Sequence, residues 1–187
     1  LARLRDGQEE LQRNEVIVST KGGFLPYDEA PPPDAWALIQ ENFITPGVFS
    51  PQDIVAGCHC ITPRYIQNQL DQSLKNLGLS CIDIYYLHNP ETQLEEISRE
   101  EFVQRIRSAF EVLEESVRLG KIRMYGTATW EGYRRAPSIR GYLSLEKMVE
   151  LAREVGGEGH HFKVIQLPYN LAMPEAFVSK TQRIGEL

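Results

Sequence analysis

Lys21, His88 and Gln166 each arrive at or near the end of a short apolar run, and Ala128-Thr129 leaves another. Residues of these types can act together on a small polar molecule. A lysine ammonium beside a phenol stabilises the phenolate and lowers its pKa, and an imidazole can hydrogen-bond a carbonyl oxygen while a hydride arrives at its carbon. Glutamine and threonine side chains offer the paired donors and acceptors that grip a carboxamide. Each residue also has a plainer reading. A histidine that closes a strand is as often structural, and a lysine beside a loop ordinarily snorkels into water. The choice turns on whether the chain brings these positions together.

The runs themselves read as strands. Residues 80–90 are rich in β-branched and aromatic side chains and are bounded by Gly78 and by Asn89-Pro90, as expected of a strand buried on both faces. A period of two sets Ile82, Ile84, Tyr86 and His88 on one face and Asp83, Tyr85 and Leu87 on the other. Residues 15–23 form a β-branched strand ending in Lys21-Gly22-Gly23, with Ile17, Ser19 and Lys21 on one face. Residues 121–130 and 162–168 supply the third and fourth strands.

Helices separate these strands. Thr62-Pro63 opens one by N-cap and first-turn proline, Ile66, Leu70, Leu74 and Leu77 form its buried stripe, and Gly78 ends it. A capping box at Ser98–Glu101 starts the next, with Phe102, Ile106, Phe110, Leu113 and Val117 inward, and Gly120 closes it. A third covers residues 144–155 through Leu145, Met148, Val149 and Ala152. Residues 1–11 carry a narrow helical edge of Leu1, Leu4 and Leu11, and a further helix begins after residue 171. Alternating strands and helices require parallel strands joined by right-handed crossovers, an α/β fold. No glycine-rich GxGxxG turn follows any strand, which argues against a Rossmann fold and favours an incomplete (β/α)8 TIM barrel of about four parallel strands. In a barrel the carboxyl ends of the strands meet at one mouth, which gathers Lys21, His88, the exit at residues 127–129 and Gln166.

Composition narrows the function. The chain has 187 residues, 42% hydrophobic and 25% charged, with a net charge of −6. It suits one soluble domain, and it lacks the basic surplus that a nucleic-acid partner requires. A local cluster of Arg134, Arg135 and Arg140 either solvates a loop or serves a phosphate. No apolar segment approaches bilayer length, so no membrane partner is expected. Three cysteines without a disulfide framework suit the cytoplasm. Cys58-His59-Cys60 invites a metal reading, but alternating side chains and the lack of a second ligand pair argue for no metal. Residues 24–62, with six prolines among five aromatics, form a long excursion, either a lid or a loosely packed loop.

Four stretches together are similar to the aldo-keto reductases: residues 16–23, the run from Gln69 through Ile82-Asp83 to His88, residues 120–126 and residues 166–170. They occur in family order across nearly all of the chain outside the excursion. The resemblance implies a single (β/α)8 domain over residues 1–187, truncated at both ends, that reduces an aldehyde or ketone to an alcohol with NADPH. Lys21 matches the family's catalytic lysine and His88 its substrate-orienting histidine. Gln166 matches the glutamine that holds the nicotinamide carboxamide.

Two departures accompany the match. The family's catalytic aspartate and tyrosine lie further upstream of the lysine than this sequence reaches, and no tyrosine precedes Lys21. Where the family commonly has Ser-Asn, this chain has Ala128-Thr129, so one carboxamide contact is weakened or is replaced by the threonine hydroxyl. The alternative function is a non-catalytic barrel serving as a binding or regulatory subunit, as in the potassium-channel β subunits, with residues 24–62 as partner surface. A third is a Schiff-base enzyme using Lys21 as nucleophile.

Overall fold

The computed structural model describes residues 12–27 and 32–183. The helix expected over residues 1–11 lies outside them. Four parallel strands form one sheet in the order β1 (Ser19–Gly22), β2 (Ile82–His88), β3 (Ile122–Ala128) and β4 (Phe162–Gln166). Each parallel step is bridged by a helix: α2 (Pro63–Leu77), α3 (Arg99–Arg118) and α4 (Leu145–Gly156). Two shorter helices lie outside this alternation, α1 (Ala35–Ile39) in the excursion and α5 (Glu175–Val178) after β4. Among the described residues the sheet is open, with β1 and β4 at its edges. The fold is thus the expected α/β arc of a barrel that does not close.

The helices dock by the stripes that their spacing dictates. Tyr65, Ile66 and Leu70 of α2, Phe102, Ile106, Phe110 and Leu113 of α3, and Met148, Leu151 and Ala152 of α4 are buried in one core. Tyr85, Leu87 and Tyr125 meet them from the sheet. Gly78 ends α2 in the left-handed conformation, φ 63°, with its N–H on the carbonyls of Leu74 and Lys75. Ser98 caps α3 by accepting the Glu101 N–H at 3.1 Å. Thr62, by contrast, makes no capping bond, because its hydroxyl lies 3.4 Å from the Cys60 thiol instead.

The first strand is shorter than its sequence suggests. The β-branched run begins at Val16, yet pairing starts at Ser19, and Ile17 is 79% exposed. Before that point the chain is held by Asp83, whose Oδ2 accepts the Val18 N–H at 2.8 Å and an N–H of Arg13 Nη2 at 2.7 Å, while Arg123 Nε reaches its other oxygen at 3.2 Å. Burial opposes the charge on Asp83, but the amide and the guanidinium outweigh it and hold the carboxyl below its ordinary range. This hub ties the start of β1 to the start of β2, away from the mouth.

Close approach fixes two glycines in the sheet. A Cβ on Gly126 would lie 1.9 Å from the Val164 carbonyl oxygen, where β3 and β4 shift register, and one on Gly22 would lie 2.0 Å from the Tyr85 hydroxyl. The excursion packs rather than dangles. Phe43 and Phe49 stack at 5.3 Å and present their edges to Tyr65 of α2, and the chain returns to β1 through Cys60 N–H to Gly23 O at 2.8 Å.

Candidate active site

Register brings the anticipated residues together. His88, Ala128 and Gln166 are direct partners across β2, β3 and β4, and Lys21 pairs with Tyr86, two residues before His88. Because side chains alternate along a strand, Lys21, Tyr86, His88, Ala128 and Gln166 share the face opposite the helices. Lys21 and Gln166 are exposed there, His88 is half-buried and Ala128 is buried. Burial, and then the Lys21 ammonium, push the His88 imidazole below its ordinary pKa, so at neutral pH the ring is uncharged and able to donate one hydrogen bond.

The β3 exit lies beside this row. Thr129 donates its N–H to the Gln166 carbonyl at 2.8 Å. Its hydroxyl is buried and finds no partner among the described residues, an unmet capacity of the kind a carboxamide satisfies. Gln166 beside it adds an exposed amide. Ala128, Thr129 and Gln166 thus place one buried hydroxyl and one exposed amide side by side, groups that could hold a carboxamide.

Several residues that shape the site carry no obvious signal in the sequence. Glu91, three positions past His88, reaches across to the β3 exit, where its Oε1 accepts the N–H groups of Trp130, Glu131 and Gly132 at 3.0, 3.2 and 3.2 Å. Burial raises its pKa against these bonds. Asn89 makes that reach possible by turning left-handed, φ 43°, with its N–H on the Ala128 carbonyl at 2.6 Å. Between the two exits is a cavity of about 270 Å³, lined in part by Asn89, Glu91, Trp130 and Arg135.

The cysteine–histidine cluster is also clarified. His59 is fully buried and both ring nitrogens are engaged, Nε2 with the His88 carbonyl and Nδ1 with Gln93, each at 2.8 Å. No group of metal-holding side chains occurs among the described residues. The arginine cluster is not a solvated loop throughout. The Arg134 side chain is 7% exposed and pairs with Glu175, Arg135 pairs with Glu131, and Arg140 donates to the Leu94 carbonyl at 2.5 Å. His161 at the opposite end of the sheet binds Glu114 at 2.7 Å, as suits a stabilising contact. No helix among the described residues is long and apolar enough to cross a membrane.

The model of the Aldo/keto reductase family matches residues 3–172. The chain therefore belongs to the aldo-keto reductase family. Among curated proteins, the aldo-keto reductase yakc [NADP(+)] of Schizosaccharomyces pombe is 42% identical over 115 residues, 62% of this chain. The chain covers 24% of that relative's length. Among solved structures, the holo form of aldo-keto reductase AKR11C1 from Bacillus halodurans aligns with a TM-score of 0.46 at 17% identity, over 84% of this chain and 36% of the other.

Proposed function

We propose that this protein takes part in NADPH-dependent reduction of a small aldehyde or ketone in the cytoplasm, with Lys21 and His88 on the substrate side and Ala128, Thr129 and Gln166 on the cofactor side. The observation that carries this reading is the register row His88–Ala128–Gln166, with Lys21 on the same face one strand away. The residues on the cofactor side would hold a reduced nicotinamide, which would supply the hydride for the carbonyl carbon. The uncharged His88 ring donates a hydrogen bond to the carbonyl oxygen and orients it, and the Lys21 ammonium favours negative charge developing on that oxygen. Thr129 and Gln166 would hold the carboxamide of that cofactor through the Thr129 hydroxyl and the Gln166 amide.

The oxygen so formed takes up a proton from water, which completes the alcohol. Two measurements test the reading. Titration with NADPH should show binding that Gln166→Ala weakens by about tenfold, the value of one hydrogen bond. Nicotinamide absorbance with a panel of aldehydes should show turnover that His88→Ala lowers. Absence of NADPH binding, or an unaltered rate in His88→Ala, would overturn the proposal.

A further inference from the structure

A directed chain of hydrogen bonds runs from α3 to the last carbonyl of β2. Arg105 Nη1 donates to Gln93 Oε1 at 2.7 Å, Gln93 Nε2 lies 2.8 Å from His59 Nδ1, and His59 Nε2 lies 2.8 Å from the His88 carbonyl oxygen. Only one assignment of protons fits. A guanidinium has donors alone, so the Gln93 oxygen faces it and the Gln93 amide nitrogen faces the imidazole. That nitrogen donates, so His59 Nδ1 accepts and carries no hydrogen. The single ring proton is then on Nε2, aimed at a carbonyl that can only accept. A second proton on the ring would set donor against donor at Gln93. Complete burial of both His59 and Gln93 makes such a mismatch costly.

The far end of the chain is anchored. Arg105 also donates to the Asp53 carbonyl at 3.2 Å and pairs with Glu101 at 3.0 Å. The near end is crowded by design. The Phe24 ring stands edge-on to both His59 and His88, with centroids 4.8 and 5.0 Å away. A Cβ on Gly23 would fall 2.8 Å from His59 Nε2 and 2.8 Å from the His88 oxygen, on the hydrogen bond itself.

We propose that His59 is the positioning residue of the site: held as the Nε2–H tautomer by Gln93, it fixes the peptide plane after His88 and so the direction in which the His88 imidazole enters the mouth. This rests on the carbonyl-reductase reading for its catalytic meaning, but the geometric claim can be tested without it. Long-range ¹H–¹⁵N spectra of the protein at neutral pH should show His59 as Nε2–H. His59→Phe removes the donor and should shift the His88 ring resonances, and His59→Gln, which restores an N–H near the Nε2 position, should return them toward wild type. With a carbonyl substrate, His59→Phe should lower kcat/KM by about a hundredfold, the penalty of a small misplacement at a reacting centre, leave NADPH affinity unchanged, and be rescued in His59→Gln. If the protein reduces no carbonyl, the resonances still decide the positioning claim. A Nδ1–H tautomer, unmoved His88 signals, or equal losses in both variants would overturn it. Should His59→Phe fail to fold, the tautomer and the behaviour of His59→Gln decide it in the same way.

Discussion

His59 has an acid-base consequence beyond its place beside His88. An imidazole in an unfolded chain takes a proton near pH 6.5, whereas burial, working against the bond to His88, pushes the folded His59 down to about 4. As pH falls between these values, the unfolded state binds a proton that the folded state refuses. Stability is therefore lost on acidification, by a total of about 3 kcal/mol at pH 4 from this residue. Urea unfolding measured from pH 7 to pH 4.5 should show that loss in the wild type and a shallower one in His59→Gln. The comparison matters because His88 and His160 shift the same way and contribute to both curves. Parallel curves would mean that His59 is not kept neutral. The sequence offered only a cysteine–histidine cluster at this position. Its true partner is 29 residues away, and the contact exists because the excursion folds back onto Gly23. Local spacing carries no record of that return.

Between elements, two seams hold the row of candidate residues in line, and each can be opened by one substitution. At the β2–β3 seam the Glu91 carboxylate gathers three amides from the turn after Thr129. Glu91→Ala should cost about 2 kcal/mol and accelerate amide exchange at residues 130–132, measured by hydrogen exchange, with exchange in β2 unaffected. At the β3–β4 seam the strands approach too closely for any side chain at position 126. Gly126→Ala should destabilise the protein by about 3 kcal/mol or displace β4 outright, read from the denaturant midpoint and the loss of protected amides in residues 162–166. The strands and helices around these seams follow the sequence closely, since the periodicities at Pro63–Leu77, Ile82–His88 and Arg99–Arg118 match the observed bounds to within a residue or two. The early part of residues 15–23 departs from its pattern where Asp83, remote in sequence, holds Val18 from both sides, its side chain on the Val18 N–H and its own N–H on the Val18 carbonyl. Propensity yields there to a tertiary hydrogen bond.

For the molecule as a whole, the sheet separates duties by end. Asp83 and Glu114 bind the chain together near the amino ends of the strands, and Lys21, His88, Thr129 and Gln166 occupy the carboxyl ends. The residues read from the sequence as chemical fall at the end where parallel α/β sheets place their sites. The residues that hold them there were not legible, because Glu91, Gln93 and Arg105 act through contacts between elements rather than through any motif. The arc leaves apolar surface beyond β4, where Phe177 is 81% exposed and Ile165 is 37% exposed. The two glycines after Lys21 have a different consequence. They look like a hinge, but Gly22 is blocked by the Tyr85 phenol and Gly23 by the bond between His59 and His88. Every amino-acid replacement at either codon adds a Cβ, so Lys21 is followed by two positions with no accessible mutational neighbour. The Lys-Gly-Gly step is therefore closed to substitution, whatever varies in the loops beyond it.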